Sequence, residues 1–521
     1  MTTTQETNPN QETNPNPNSN PDQETNPNSN PNPNPNSNPN QHPNPSFTGS
    51  IINLNPVPNP VPPPEPDVEI NGRSGLRNMG NTCYMNSAIQ VFAHIYPLTH
   101  YIFNNREHIM RTLKRNAPVI LKNAMMFKIG SVTDNVIPVS LKQRIHDGTY
   151  DPNNLSPEEE AIVLNCTLTF QLSKLLEAMW KRNCTLKPIS FKKIFSEVRN
   201  KFFHGYDQHD AEEAYTCILQ QIQEELAEEK SIKFKTTRES VTAYMKYKND
   251  ITKQINNTTD VNLKKNLFDQ YQLTKKAMPD ECLMIDAFRE MKNFYGKSYS
   301  PIVELFTGFL HSSTHCPNPS CGFTSNKFDA YQHLSLPIPS LSYRDASGHS
   351  HLTRLATANY RMYESAPECT VYDCFNEFTK EEVLDEKNMW SCEGCNNKVR
   401  GIKRLKLWSA PQVLVIQFKR FNMMRSTKNE RLIKFPLTDL DISSLIAPVN
   451  YDPEKCYKYT LQCVINHSGG VGYGHYTAYC RDEDLNKWFI YNDESVEPVS
   501  QTAIVSKSAY LIVYLRQDLL H

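Results

Sequence analysis

The stretch Gly75-Leu76-Arg77-Asn78-Met79-Gly80-Asn81-Thr82-Cys83-Tyr84-Met85-Asn86-Ser87 passes from a glycine-rich polar loop into the amphipathic run Ala88-Ile89-Gln90-Val91-Phe92-Ala93-His94-Ile95. The pattern predicts a helix with Cys83 on its first turn. A helix N-terminus carries partial positive charge and free N–H groups, which favour thiolate and lower a thiol pKa from about 8.5 to ~3.5–7.5. Cys83 is therefore a candidate nucleophile. A lone cysteine is more often a buried structural residue, but the Asn, Gly and Thr around this one suit an exposed, tightly turned backbone better than a core.

Such a nucleophile needs a base. Near the other end, Gly472-Tyr473-Gly474-His475-Tyr476-Thr477-Ala478-Tyr479-Cys480-Arg481 alternates from His475 onward like a strand, and the glycines before it leave room for a substrate backbone. The next strand, Trp488-Phe489-Ile490-Tyr491, ends at the turn-prone Asn492-Asp493-Glu494-Ser495. Joined through Asp482 to Lys487, an antiparallel pair returns Asn492 or Asp493 beside His475. Either side chain can accept from the imidazole N–H and fix the tautomer that a general base requires. His467, in Asn466-His467-Ser468-Gly469, competes for that role but reads as a strand-end loop residue.

Taken together, the two segments resemble the ubiquitin-specific proteases, papain-like cysteine peptidases that cleave after the ubiquitin C-terminus. The cysteine box runs unbroken over Gly75 to Ser87; the histidine box includes Gly474 to Tyr479, Trp488, Asn492-Asp493 and the closing strand Ala509 to Tyr514. Between them lie Gln208-His209-Asp210-Ala211-Glu212-Glu213, Leu334-Ser335-Leu336-Pro337-Ile338 and Ala410-Pro411-Gln412-Val413-Leu414-Val415-Ile416-Gln417-Phe418-Lys419-Arg420-Phe421. The resemblance spans roughly Gly72 to Arg516. It implies Cys83 as nucleophile, His475 as general base, Asn492 as the residue orienting the imidazole and Asp493 as an accessory or alternative third member. It also implies Asn78 as the side-chain oxyanion donor, where the residue alone reads as a plain turn asparagine. Gln208, Asp210 and Glu213, by the same resemblance, line the groove that grips ubiquitin's arginine-bearing, glycine-ending tail. Taken alone they read as a helix-capping acid and solvated charge at the start of a helical run, Ala211 to Ala227. Carboxylates pair with arginine in bidentate fashion, and a double glycine fits a narrow channel. His209 replaces a frequent family glutamine.

A second constellation stands apart from the first. Cys316-Pro-Asn-Pro-Ser-Cys321 and Cys392-Glu-Gly-Cys395 sit on tight turns about seventy residues apart, the signature of a four-thiolate zinc ribbon with one structural ion. A redox pair or a disulfide explains neither the pairing nor the spacing. All four family ligand positions are occupied, although four residues separate the first pair where two are commoner; His315 is a possible substitute ligand.

Composition agrees with a reducing, intracellular setting, cytoplasmic and/or nuclear. There are 14 cysteines in 521 residues and no apolar N-terminal stretch of the secretory kind. No apolar run approaches the ~20 residues of a membrane span, so no membrane partner is expected. Residues 1 to 72 hold seven acids and no Lys or Arg, which leaves 49 acids against 55 Lys and Arg in the remainder. That surplus of six makes no nucleic-acid surface. Residues 1–70 are an Asn/Pro-rich tail, with Gln-Glu-Thr-Asn-Pro-Asn at 5–10, 11–16 and 23–28. With scarcely an apolar side chain before Phe47, the tail is expected to be disordered.

The expected fold is α+β and papain-like: a helical thumb about 75–228, a polar helical insertion about 230–295 and a β-rich palm with zinc-ribbon fingers about 300–517, within one catalytic domain, 71–517. Leu168 to Arg182, Ser196 to Phe203 and Ala211 to Glu228 read as helices, and short β-branched and aromatic runs dominate from Val303. The expected activity is thiol-dependent deubiquitination through a Cys-His-Asn triad, with ubiquitin and ubiquitinated proteins as partners. The alternatives are a catalytically silent ubiquitin-binding scaffold, a protease for a ubiquitin-like modifier, and a zinc-ribbon nucleic-acid module with incidental Cys and His.

Overall fold

Every residue of the helix Cys83–Ala93 is buried. A helix buried on all sides, its polar Asn86, Ser87 and Gln90 included, belongs inside a protein, and this one lies between two layers. On one side are the helices Leu168–Lys181 and Ala211–Glu225, on the other the central sheet, so that Ile89 and Phe92 share one cluster with Leu172, Leu176, Ile218, Ile465 and Ala478. Phe92 stacks on Tyr215 at 4.7 Å. The helices of this layer are tied together by the buried Glu225 carboxylate, which accepts from the N–H groups of Leu168 (2.9 Å) and Thr169 (2.7 Å) at the positive end of the neighbouring helix.

This computed structural model describes residues 72–126, 137–199, 201–231, 233, 236, 238–340, 342–344, 350–352 and 368–520, all within the compact unit Gly49–His521. The Asn/Pro-rich tail lies outside the described residues.

The central sheet runs, in order, Ser495–Val499, Lys487–Asn492, Tyr473–Asp482, Lys458–Gly470, Ala509–Arg516, Val413–Phe418 and Leu334–Leu336, with Leu440–Asp441 added beside Lys458–Gly470. Its strands pair antiparallel except Leu334–Leu336, which runs parallel to Val413–Phe418. Both faces are covered. Val413, Val415, Leu511 and Val513 point to the helical layer, whereas Leu414, Ile416, Ile512 and Tyr514 join a second cluster with Cys374, Phe375 and Ile433. Two-sided burial explains why these strands are continuously apolar in sequence and not alternating.

A second sheet carries the cysteine knuckles, in the order Thr324–Tyr331, Gly308–His315, Ile402–Ser409, Glu382–Val383. At its root lies the insertion, three helices over Glu239–Asn257, Val261–Ala277 and Pro279–Ser298. Its expected polar character needs correction. Val241, Tyr244, Met284, Phe288, Met291 and Tyr295 pack against Phe309, Phe328 and Trp408 of the sheet; only the middle helix buries nothing.

Ser196 to Phe203 also departs from expectation. In place of an α-helix the chain makes a π-helical turn, Lys193–Arg199, and a 3₁₀ turn, Lys201–Phe203. Phe195 of this segment stacks on both Phe191 (6.0 Å) and Phe203 (4.6 Å). Among the described residues, no helix is long and apolar enough to cross a membrane.

Candidate active site

The loop before Cys83 is built by its own side chains. Asn78 Oδ1 accepts from the N–H groups of Gly80 (3.0 Å) and Thr82 (3.1 Å), and Thr82 Oγ1 accepts from Met79 N–H (2.8 Å). These bonds turn the chain into the helix and deliver Cys83 to its first position.

Opposite, the expected hairpin forms: Tyr473–Asp482 pairs with Lys487–Asn492, Ala478 facing Tyr491. It returns Asn492 to His475, whose Nε2–H donates to Asn492 Oδ1 at 2.6 Å. The carboxamide oxygen can only accept, so the proton sits on Nε2 and Nδ1 is free to take another. Asp493, with φ +49°, follows at the turn, its Oδ2 at 4.0 Å from the same Nε2. Asp493 Oδ2 also accepts from Asn78 Nδ2 (2.9 Å), and Oδ1 from Asn86 Nδ2 (2.7 Å). Three residues of the two boxes, Asn78, Asn86 and His475, thus meet around the Asp493 carboxylate.

Cys83 lies beside this group. The backbone N–H of Tyr476, the residue after His475, is directed at its sulfur, and Tyr476 and Ala478 share the cluster of the cysteine helix. Two expectations fail here. The thiol is buried, 4% exposed, not presented on an open loop. Its pKa is raised from the ordinary value and not lowered: burial pushes it up, Asp493 pushes the same way, and the N–H groups of Tyr476, Tyr84 and Cys83 itself oppose them without winning. The physical reason is that desolvation disfavours the charged form more than the helix terminus favours it. No hydrogen bond among the described residues joins Cys83 to His475.

A cleft of about 460 Å³ opens from Cys83 and is lined by Gln208, Asp210, Glu213 and the glycine loop Gly470–Gly474. Gln208 Oε1 accepts from Gly474 N–H at 2.9 Å, linking the helical wall to the histidine strand. Asp210 caps the helix Ala211–Glu225, accepting from Glu212 N–H (2.7 Å) and from Tyr510 OH (2.7 Å). Burial pushes its carboxyl above the usual range against those two donors. Glu213 faces the cleft and is raised by desolvation, then by Asp210 and Glu212. The cleft is thus a carboxylate-lined channel ending at a thiol.

Two residues escaped the sequence reading of roles. Asn86 lies in the cysteine box at i+3 from Cys83, and that spacing puts both on one helix face; its contact with Asp493 was not legible. Glu212 pairs with His333 Nε2 at 3.1 Å on the cleft wall, and the pairing of such distant positions leaves no local signal.

The four knuckle cysteines converge. Their Sγ atoms all lie within 4.8 Å of one another, with Cys316 to Cys395 at 3.9 Å and Cys321 to Cys392 at 3.6 Å. Backbone bonds hold each knuckle: Cys316 N–H to Phe323 O and Cys392 N–H to Asn397 O, both 2.9 Å. The set can hold one metal ion. His315 stands outside it, bonded to Thr324 Oγ1 at 3.0 Å.

The family model described as "Ubiquitin carboxyl-terminal hydrolase" matches residues 74–514. The chain belongs to the ubiquitin carboxyl-terminal hydrolase family. Its class is therefore that of a cysteine-type deubiquitinating hydrolase. This hydrolase is similar to "Probable ubiquitin carboxyl-terminal hydrolase R319" of Acanthamoeba polyphaga mimivirus, 46% identical over 449 residues, 86% of this chain and 91% of that protein. It is also similar to human "Ubiquitin carboxyl-terminal hydrolase 2", 27% identical over 448 residues. That match covers 85% of this chain but 55% of the human protein, so the chain spans about half the human relative's length. Among solved structures it shares the fold of the Ubp8 module titled "Structure of the SAGA Ubp8/Sgf11/Sus1/Sgf73 DUB module bound to ubiquitin aldehyde", with TM-score 0.50 and 19% identity over 87% of this chain and 71% of that one. The papain-like α+β fold follows.

In the hydrolase His467 is no rival to His475. It is buried on the strand Lys458–Gly470, and Gly474 packs so closely on it that a Cβ there would meet His467 Nε2 at 2.2 Å. Burial, then Lys428 and His475, lower its pKa to about 4, leaving a neutral ring walled in by Phe421 and Tyr476.

Proposed function

We propose that this hydrolase cleaves the isopeptide bond after the C-terminal glycine of ubiquitin, with Cys83 as nucleophile, His475 as general base, Asn492 as the residue orienting the imidazole and Asp493 as accessory. The observation that carries the reading is the bond from His475 Nε2 to Asn492 Oδ1 at 2.6 Å, which leaves Nδ1 for the thiol proton while Cys83 lies beside the neighbouring Tyr476. In the proposed cycle the buried thiol gives its proton to His475 as ubiquitin's tail fills the cleft. The sulfur attacks the glycine carbonyl, His475 returns the proton to the departing lysine amine, and water, deprotonated by His475, hydrolyses the thioester. Asn78 Nδ2, held by Asp493, is the side-chain donor to the oxyanion; loss of one such donor typically costs ~10²–10³ in rate.

Gln208, Asp210 and Glu213 are proposed to grip the ubiquitin tail, their carboxylates taking its arginine. Zinc is the ion we assign to Cys316, Cys321, Cys392 and Cys395. A tetrahedron with Zn–S bonds of about 2.3 Å has S···S edges of about 3.8 Å, and the Cys321–Cys392 and Cys316–Cys395 separations straddle that value at 3.6 and 3.9 Å. The proposed catalytic domain is 71–517, with a helical thumb about 75–228 and a palm with fingers about 300–517. A reducing compartment, cytoplasmic and/or nuclear, suits a chain whose 14 cysteines are all free of disulfides.

The test is labelling by a ubiquitin C-terminal electrophile, run beside the same warhead on ubiquitin-like modifiers. Labelling by ubiquitin, abolished in Cys83→Ala with ubiquitin binding retained, supports the reading. Failure of the native protein to react with any probe refutes it in favour of a silent scaffold, and reaction with another modifier alone moves the substrate.

A further inference from the structure

The helix that carries the nucleophile also carries an amide aimed at the other wall of the site. Asn86 is 2% exposed, and its Nδ2 donates to Asp493 Oδ1 at 2.7 Å, with Leu76 O at 3.2 Å and Arg77 O at 3.4 Å beyond it. Its Oδ1 is buried with no hydrogen-bond partner. A buried amide with half its capacity unmet is costly beside an apolar residue of the same size, so the donor half must serve something.

What it serves is the orientation of one carboxylate. Asp493 Oδ2 accepts from Asn78 Nδ2 at 2.9 Å and lies 4.0 Å from His475 Nε2. A carboxylate bonded through Oδ2 alone can pivot about its Cα–Cβ and Cβ–Cγ bonds; a second bond on Oδ1 removes that freedom. The backbone of Asp493 is held independently, its carbonyl accepting from Leu76 N–H at 2.7 Å. Removing the Asn86 amide frees the Asp493 side chain and releases the longer bonds to Leu76 O and Arg77 O, while the Leu76 N–H bond to Asp493 O remains to hold the turn.

We propose that Asn86 is a positioning residue: by pinning Asp493 Oδ1 it fixes Oδ2 between Asn78 and His475, and so sets the oxyanion donor and the imidazole in register with the sulfur one helical turn away. This rests on the roles proposed above for Cys83, His475 and Asn78. Asn86 touches no reacting atom and acts through Asp493.

The test is a double-mutant cycle of Asn86→Ala and Asp493→Ala, reading kcat and KM on a ubiquitin C-terminal fluorogenic conjugate. Each single change is expected to lower kcat by about 10–100-fold with KM within about threefold, and the double variant to be no more than about threefold slower than Asp493→Ala, because the amide has nothing left to hold. A purely structural residue gives losses that multiply. Should Asn86→Ala not fold, Asn86→Ser, which keeps a hydroxyl donor, enters the same cycle and is expected to retain part of the rate in the Asp493 background only. Multiplied losses in an active wild-type series, or wild-type kcat in Asn86→Ala, overturn this inference alone. An inactive wild type overturns both it and the proposed function.

Discussion

Replacing Gly75 by Ala tests whether the turn bearing Asn492 and Asp493 must sit where it does. A Cβ on Gly75 would meet Glu494 O at 2.2 Å, Glu494 C at 2.6 Å and Glu494 Cα at 2.9 Å. All three are backbone atoms, so no rotamer relieves them. Ordinary van der Waals contact begins at 3.4 Å, and the turn must therefore withdraw by about 1 Å. Leu76 N–H donates to Asp493 O at 2.7 Å on the same strip of chain, so the withdrawal stretches that bond and carries Asn492 away from the imidazole. Displacement of about 1 Å in a positioned group costs on the order of 10² in rate. Steady-state hydrolysis of a ubiquitin fluorogenic conjugate is expected to show kcat down by about that factor, with KM moved far less because the cleft carboxylates lie elsewhere. A Gly75→Ala enzyme that is fully folded by circular dichroism and keeps kcat within threefold of wild type refutes the reasoning.

Asp210→Asn removes a charge while keeping a good N-cap, since Asn and Asp cap equally well. KM is expected to rise by roughly 10–100-fold, the worth of one charge-assisted hydrogen bond, with kcat and melting temperature nearly unchanged; an unaltered KM removes Asp210 from the tail-binding set. Loss of metal should act on folding first. Elemental analysis is expected to find one zinc per chain, and Cys392→Ser or a strong chelator to loosen the knuckle sheet, a structural site contributing on the order of 10 kcal/mol; absence of zinc with full chelator resistance rejects the assignment. Acid should destabilise the fold through His94, bonded by Nδ1 to Gln90 O (2.7 Å) and by Nε2 to Tyr491 OH (2.8 Å), with burial lowering its pKa to about 4. Between about 6.5 and about 4 the unfolded chain binds a proton that the folded ring refuses. Stability present above 6.5 is thus lost as pH falls toward 4, and His94→Gln should flatten the fall in melting temperature across that window; an unchanged slope assigns the acid loss to other groups.

How much of this was readable in advance divides along physical lines. The hairpin of Tyr473–Asp482 and Lys487–Asn492 was legible because alternation and a polar turn are local signals, and the turn delivered Asn492 to 2.6 Å from His475. The knuckles were legible because ligand spacing is local too. Burial was not. Cys83 reads as the exposed first turn of a helix after a tightly turned loop, yet strands almost four hundred positions away cover it and burial pushes its pKa up. The insertion reads as polar because its apolar side chains are few per turn; its partners Phe309, Phe328 and Trp408 belong to another sheet. The π-helical turn at Lys193–Arg199, beside the stacked rings of Phe191, Phe195 and Phe203, carries no signal in helix propensity.

What the chain determined alone was the inventory: a thiol at a helix start, an imidazole on a strand, an amide and a carboxylate at the strand's returning turn, and four thiols in two pairs. Only the tertiary structure decided that the Asp493 carboxylate joins Asn78, Asn86 and His475 around one point, and that burial raises the pKa of the thiol beside them. Short-range periodicity and turn chemistry are written residue by residue, whereas desolvation and a bond across 407 positions exist only after the core has closed.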